Sequence, residues 1–219
     1  MWPFGGAREP QTLPLFPLKT VLFPGGVLPI KVFEQRYIDM AKACIADERP
    51  FGVCLITSGE EVASPGGGAP EIANVGTLAL WLGLRPAVAP RITGWDMPQL
   101  GILHLATVGG TRFQVKSRSV AASGLLSGEV QPLPVEPTRR IGDTFAPLVG
   151  LLELIATRVG PQNFPTERKY DDASWVGYRL AELLPLPLTI KQSMLEINDA
   201  DVRLQVLQKF LAQQGVLPT

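Results

Sequence analysis

The stretch from Leu13 to Tyr37, LPLFPLKTVLFPGGVLPIKVFEQRY, decides the fold of this 219-residue chain. Two short apolar runs, 13–18 and 27–33, flank the turn-forming triplet Pro24-Gly25-Gly26. The sequence therefore predicts a strand, a turn and a second strand, with a helix beginning near Glu34. Both strands contain prolines, which lack an amide donor, so we expect them at a sheet edge or a barrel seam. An irregular, partly open barrel accommodates them better than a buried parallel sheet.

The remainder of the first half is predicted to form strands around one helix. Apolar residues at three- and four-residue spacing predict a helix over 34–47, and continuous apolar runs predict strands over 51–56 and 74–84. Alternating residues on either side of Gly109-Gly110 predict a hairpin at that pair. A last strand over 125–135 ends in prolines, which mark a boundary between a β half and an α half.

After that boundary the apolar period is helical, and it predicts four helices over 145–159, 172–184, 189–197 and 199–214. Asp172 can cap the second of these helices. Thr189 and Gln192 have the spacing of a capping box for the third helix, and Gly215 is placed to stop the fourth.

Four motifs together resemble the N-terminal domain of Lon proteases. They are the opening L-P-L-F-P-L, V-L-F-P-G and L-P-I-K-V-F-E-Q-R-Y, the V-G-T-x-A of residues 75–79, the G-x-x-R-F-x-V of residues 109–115, and the L-x-x-K-Q-x-x-L-E and R-L of residues 188–204. The resemblance covers nearly the whole chain and is weakest over 85–98 and 160–169. It implies an α+β fold, with a PUA-like β pseudo-barrel over residues 1–135 and a C-terminal helical bundle over 136–219.

The same resemblance implies a non-catalytic module that binds polypeptide, either to recognise substrates or as an adaptor for proteolysis. Cereblon carries a related module, which supports interaction with proteins as the general theme. The expected partners are unfolded protein segments, and a separate protease is a second possible partner. We expect an extended segment to lie in the cleft between barrel and helices, held by apolar contacts and β-type hydrogen bonds.

The charge balance argues against nucleic acid as a partner. The chain has 20 basic and 20 acidic residues and a sequence pI near 6.6, so it lacks the basic excess that phosphate binding requires. RNA binding is the main alternative function, because PUA-like barrels occur in RNA-modifying proteins, and it needs a continuous basic face. The residues that could form such a strip are Arg85, Arg91, Arg112, Lys116 and Arg118.

No catalytic constellation is visible in the sequence. The run Gly66-Gly67-Gly68 lacks the Gly-Lys-Ser/Thr end of a P-loop, and the ATPase and peptidase motifs of Lon are absent. We therefore expect no enzyme activity, no metal and no cofactor. A small-molecule hydrolase, the third possibility, would need a spatial cluster around His104, the single histidine. Cys44 and Cys54 are expected to be reduced core residues.

A cytoplasmic location is expected from the absence of export signals. Residues 1–10 contain neither the basic nor the apolar part of a secretory signal. The longest apolar windows are well short of the roughly 20 residues that span a bilayer.

The candidate binding residues lie mainly in a segment rich in proline and glycine, over 85–98. Trp95 and Met97 would form an adaptable apolar contact surface if this segment is an exposed loop. The alternative is that the loop folds back and buries both residues over one end of the barrel. Arg91 and Arg112 complete the predicted binding set.

Overall fold

The computed structural model describes residues 10–62, 68–81, 95–99, 101–159, 164–165 and 167–217, with residues 81 and 95–99 described by their backbone. The chain divides into two compact units, the first ending at Pro134 and the second beginning at Val135.

Within its described residues the first unit contains eight strands and one helix. The strands are β1 (Gln11–Leu18), β2 (Val27–Val32), β3 (Phe51–Ser58), β4 (Glu71–Ile72), β5 (Val75–Trp81), β6 (Trp95–Gln99), β7 (Ile102–Val120) and β8 (Leu126–Pro132). The helix α1 (Gln35–Ala46) lies between β2 and β3. The fold is thus a mixed α/β architecture dominated by one large sheet.

The strand pairings close a ring in the order β1, β8, β7, β5, β3 and back to β1. Every pairing is antiparallel except that of β1 with β3, which is parallel. Outside this ring, β2 and β6 both pair with β7, and β4 pairs with β3.

The ring closes at β1, which divides its hydrogen bonding between two neighbours. Its first half registers with β8, with Pro14 opposite Ser127, and its second half registers with β3, with Pro17 opposite Cys54. Each neighbour therefore covers only part of β1. A proline is tolerated at such a seam because the strand needs fewer ladder bonds there, as the sequence predicts.

The five ring strands share one core cluster, centred on the fully buried Phe113. Its members are Leu13, Leu15, Cys54, Ile56, Ile72, Leu78, Phe113, Val115, Leu126 and Val130. Gly52 and Gly76 make room for the Phe113 ring, since a Cβ at either position would lie 2.6 Å from Phe113 Cζ. The two glycines and the phenylalanine are therefore a matched set.

Helix α1 covers a second core cluster on the opposite face of the same strands. Its buried side chains are Tyr37, Ile38, Met40, Ala41 and Cys44. They pack with Phe16 of β1, Phe51 and Val53 of β3, and Leu105 of β7. Strand β3 is buried on both faces because it lies between the two clusters, which explains its continuous apolar sequence.

The predicted hairpin at Gly109-Gly110 is wrong, because β7 runs unbroken from Ile102 to Val120. The pair serves a close backbone approach instead. The amide of Gly25 donates to the carbonyl of Gly109 at 2.7 Å, and the amide of Gly109 donates to the carbonyl of Gly26 at 2.8 Å. The chain reverses instead at Gly101, whose φ is +85°, between β6 and β7.

The described part of the second unit contains a 3-10 turn, Asp143–Phe145, and four α-helices. These are α2 (Ala146–Val159), α3 (Ala173–Leu183), α4 (Leu188–Glu196) and α5 (Ala200–Gln213). Asp172 caps α3 and Asp199 caps α5, each by accepting from backbone amides of the first turn. The predicted capping box of α4 is not formed, because the helix starts one residue earlier than predicted and Thr189 lies inside it, after the N-cap Pro187.

A buried ion pair lies at the polar centre of the second unit. Arg203 is fully buried and binds Glu136 through two hydrogen bonds of 3.0 and 2.5 Å. Its Nε also donates to the carbonyl of Met194 at 2.9 Å, and its guanidinium stacks 3.9 Å from the ring centroid of Tyr178. The arginine of the R-L motif is thus structural: it joins the start of the unit to α4 and α5.

No helix in the described ranges is both long and apolar enough to pass through a lipid bilayer.

Candidate functional site

Strand β2 has an open edge. Among the described residues it pairs only with β7, in a register that places Leu28 opposite Thr107 and Ile30 opposite Leu105. The amide of Gly109 donates to Gly26, so the even-numbered residues of β2 make the ladder bonds to β7. Val27, Pro29 and Lys31 therefore direct their backbone groups away from β7. We call these three residues the β2 edge.

Pro29 changes what the β2 edge can bind. It occupies the middle position and has no N–H, so the edge offers the donors of Val27 and Lys31 but none between them. Exposed edges of this kind pair readily with other chains, and proline is one of the residues that limits such pairing. The β2 edge can therefore accept an added strand, with one hydrogen bond fewer than an unmodified edge.

Apolar side chains are exposed at both ends of this edge. Val27 is 37% exposed at the start of β2, and Phe33 is 56% exposed directly after its end. Phe33 owes this position to its neighbours, because Val32 is buried in the core below α1 and Glu34 is the N-cap of α1. The chain turns between them and leaves the phenylalanine outside.

A short groove lies beside Phe33, and we call it the Phe33 groove. It is lined by the end of β1 (residues 16–18), the end of β2 (residues 31–32), Phe33, the N-cap Glu34 and Tyr37 of α1, and Glu61. Phe16 and Tyr37 form its floor, with ring centroids 4.4 Å apart and both side chains buried. The groove thus has two buried aromatic rings at its floor and the exposed ring of Phe33 at its rim.

Ion pairs hold the walls of the groove. Glu34 pairs with Arg36 at 2.9 Å, and Arg36 also donates to the carbonyl of Gly124 at 2.6 Å. Next to Glu61, Lys19 pairs with Glu60 at 2.5 Å, and the backbone amide of Lys19 donates to Glu61. The E-Q-R-Y motif is thus explained: its glutamate and arginine fix the start of α1, and its tyrosine enters the core.

The structure corrects the predicted setting of Trp95 and Met97. They do not lie in a loop, because residues 95–99 form β6, in which Trp95 registers with Leu105 and Asp96 with His104. Strand β6 pairs with the same stretch of β7 that β2 pairs with from the other side. Arg91 lies outside the described residues.

The predicted basic strip is not continuous. Arg112 is only 4% exposed, so it cannot contribute to a solvent-facing surface. Arg118 is held by the carbonyl of Ile72 at 2.8 Å and by Asn74 at 2.5 Å. Lys116 is exposed, while Arg85 and Arg91 lie outside the described residues. The part of the strip that the structure describes is therefore unsuited to a row of phosphates.

The cysteines and the histidine, which could take part in catalysis or metal binding, lie in structural settings. Cys44 and Cys54 are free and buried, and burial raises the pKa of Cys44 to about 11 and that of Cys54 to about 12. His104 lies half-buried between Lys31 of β2 and Asp96 of β6 in the sheet register. Among the described residues no group of three or more potential metal ligands occurs.

Sequence reasoning missed Phe33, Lys31 and Glu61 as candidate site residues. The run 27–33 was predicted as one strand, which assigns Phe33 to the ladder. The signal that separates Phe33 from the strand is the helix start at Glu34, since a residue between a strand end and a helix cap has no ladder partner. Glu61 could not be found this way, because its contact with Lys19 joins residues 42 positions apart.

The family model of the ATP-dependent protease La (LON) substrate-binding domain matches residues 12–213, which is almost the entire described chain. The chain belongs to this family. Lon protease 2 of Myxococcus xanthus is 41% identical over 71 residues, 32% of this chain and 8% of that protein. The Lon protease of Phenylobacterium zucineum (strain HLK1) is 28% identical over 220 residues, 95% of this chain. The chain spans 26% of the length of that relative.

Solved structures of Lon N-terminal domains share the fold. The Lon N-terminal domain protein from Xanthomonas campestris is 33% identical and superposes with a TM-score of 0.70, over 90% of this chain and 96% of that one. The N-terminal domain of the Mycobacterium avium complex Lon protease is 20% identical with a TM-score of 0.56, covering 92% of this chain and 98% of that one, and supports the fold alone. The resemblance predicted from the sequence motifs is thereby confirmed.

Proposed function

We propose that this Lon substrate-binding domain recognises unfolded polypeptide without catalysing a reaction, and that the β2 edge and the Phe33 groove are its contact surface. The observation that carries the proposal is the open edge of β2, flanked by exposed Val27 and Phe33. Membership of a substrate-binding family supports protein substrates as the ligand class.

An extended chain can add to the β2 edge as a further strand. It would bond to the backbone of Val27 and Lys31, and its side chains on one face would contact Val27 and Phe33. Main-chain bonds do not depend on sequence, so the surface suits many unfolded segments rather than one epitope. Affinity comes from apolar burial, since covering a largely exposed phenylalanine contributes up to about 2 kcal/mol.

Trp95 and Met97 extend this proposal to the other side of β7. Strands β2 and β6 pair with opposite edges of β7. A chain added at the free edge of β2 would therefore belong to the same sheet as β6. Arg112 is left out of the proposed surface because it is buried.

We further propose that the closed ring of β1, β8, β7, β5 and β3 is a PUA-like pseudo-barrel, and that the helices of the second unit form a bundle. The ring pairings support the first assignment, and the packing of α3 against α2, α4 and α5 supports the second. The domain would act in the cytoplasm without using ATP itself, either recognising substrates or serving as an adaptor for a protease.

A binding titration with matched variants tests the proposal. The probe is a fluorescently labelled, reduced and carboxymethylated α-lactalbumin, which cannot refold. Phe33→Ser should weaken binding about fivefold or more, whereas Val120→Ser, at a residue of similar 53% exposure elsewhere on the first unit, should not change it. Equal affinities for both variants and the wild type would overturn the proposed surface. Binding of single-stranded RNA with a steep salt dependence would instead support the alternative function.

A further inference from the structure

Glu61 lines the Phe33 groove, and its neighbour Glu60 binds Lys19. Glu61 accepts a hydrogen bond from the backbone amide of Lys19, and Glu60 lies 2.5 Å from the ammonium group of Lys19. Glu61 also forms part of the groove wall, and with it in place the remaining cavity is about 40 Å³. A carboxylate of this chain therefore forms part of the groove wall.

The surroundings of that carboxylate select a particular ligand chemistry. Lys31 lines the groove, and Lys19 lies beside it, with its backbone amide bound to Glu61 and its ammonium group bound to Glu60. None of the described residues forms an ion pair with Lys31. The other side offers apolar surface from Leu18 and Phe33. The groove thus fits a negative charge that is joined directly to an apolar group.

We propose that the Phe33 groove binds the C-terminal carboxylate of a polypeptide that ends in an apolar residue, and that Glu61 occupies this position until such a ligand displaces it. The inference rests on the proposed function and names its substrate class. A chain end carries a carboxylate one bond away from its last side-chain-bearing carbon, so one residue satisfies both sides of the groove. Backbone donors combined with a nearby cation are a recurrent way of capturing such a terminus.

Displacement of Glu61 is energetically accessible. The side chains of Lys19 and Glu60 are 47% and 72% exposed, so solvent screens their attraction. Glu61 itself is held by the backbone amide of Lys19, and one such hydrogen bond should reduce ligand affinity by no more than about fivefold. Glu61 is thus a weak competitor, which filters out ligands that lack a carboxylate while admitting those that carry one.

Three N-terminally labelled peptides that share one apolar sequence test the inference by fluorescence anisotropy. The first ends in Leu-Phe with a free carboxylate, the second ends in the same residues as an amide, and the third is the amide with an internal glutamate added. The free acid should bind at least about tenfold more tightly than either amide. Glu61→Gln should tighten binding of the free acid about threefold to fivefold, while Glu71→Gln, at an exposed glutamate of β4 outside the groove, should leave it unchanged.

A spectroscopic readout shows where the peptide binds. The amide resonance of Lys19 should shift on titration with the free acid and stay in place with the amide. Equal binding of acid and amide, or an unmoved Lys19 resonance at saturation, would overturn the inference. If both forms bind equally and Phe33→Ser weakens both, the proposed function stands without carboxylate recognition. If no peptide binds and carboxymethylated α-lactalbumin does not bind either, the proposed function fails as well.

Discussion

The carbonyl oxygen of Phe23 lies only 2.0 Å from the position that a Cβ on Gly109 would take. This relationship joins two motifs that are distant in the sequence, the P-G-G turn and the G-x-x-R-F run. Gly25 and Gly26 exchange backbone hydrogen bonds with Gly109, so the turn is seated directly on β7. Because β2 follows the turn, this contact also sets the register of the β2 edge.

Gly109→Ala should therefore destabilise the protein. The obstructing atom belongs to the backbone, which cannot rotate away as a side chain can, so we expect a loss of about 3 kcal/mol in the free energy of unfolding. Chemical denaturation followed by tryptophan fluorescence and circular dichroism measures it. Gly68→Ala is the matched control, because nothing lies within 4 Å of the added methyl, and its stability should stay near that of the wild type. Comparable stability of Gly109→Ala would contradict the close approach.

Glu136 should give the second unit a characteristic dependence on pH. Burial alone raises the pKa of Glu136, but hydrogen bonds from Arg203, Ser174 and Tyr178 and the charge of Arg203 outweigh it, so the pKa lies below its ordinary value. Because the pKa is lowered in the folded state, ionised Glu136 stabilises the fold at pH values above its unfolded-state pKa of about 4.3. This stabilisation is lost as the pH falls through the folded-state pKa.

The test compares wild type with Glu136→Gln. Near neutral pH the variant leaves Arg203 buried without its carboxylate, and the loss should be about 3–5 kcal/mol. The difference between the two proteins should shrink as the pH is lowered below about 4. A difference that stays constant across this range would show that ionisation of Glu136 does not stabilise the fold. Glu167→Gln, at an exposed residue of the same unit, is the control.

The two cysteines should be unreactive in the folded protein. Burial raises the pKa of Cys44 to about 11 and that of Cys54 to about 12, so almost no thiolate is present near neutral pH. Alkylation by iodoacetamide should be at least about 100-fold slower in the native protein than in guanidinium chloride, judged against an ordinary thiol pKa near 8.5. Equal rates in the two conditions would contradict the burial of both thiols.

Several features of the fold follow from local sequence signals. Strands β1 and β2 and helix α1 lie close to their predicted positions, and Asp172 caps α3 as predicted, because strand propensity and capping depend on neighbouring residues. The prediction of a hairpin at Gly109-Gly110 was wrong because a glycine pair can either form a turn or allow another backbone segment to approach closely. Only the distant turn at Gly25 and Gly26, which bonds to Gly109, decides which one applies.

The candidate site was less accessible to sequence reasoning. Arg112 was assigned to a surface strip from its alternation in a strand, but it is buried, because both faces of β7 are covered at that point. Phe33 was hidden inside an apolar run. Its exposure depends on Glu34 starting a helix, and on the packing of Val32 in the opposite direction. These are tertiary facts, which residue pattern alone does not contain.

Pro29 should limit the affinity of the β2 edge. Replacing it by valine restores an amide donor that points away from β7, so an added strand gains one hydrogen bond. We expect Pro29→Val to bind carboxymethylated α-lactalbumin about twofold to tenfold more tightly, in line with about 0.5–1.5 kcal/mol for one such bond. Pro137→Val, at an exposed proline of the second unit, should have no effect. Unchanged affinity of Pro29→Val would argue against strand addition at this edge.

The most direct test of polypeptide binding at β2 is amide hydrogen exchange measured by NMR with and without saturating carboxymethylated α-lactalbumin. The amides of Val27 and Lys31 point away from β7, whereas those of Leu28 and Ile30 already bond to it and serve as controls in the same strand. Exchange at Val27 and Lys31 should slow about tenfold or more on binding, with little change at Leu28 and Ile30. Bound polypeptide with unchanged exchange at Val27 and Lys31 would show that no strand is added at the β2 edge.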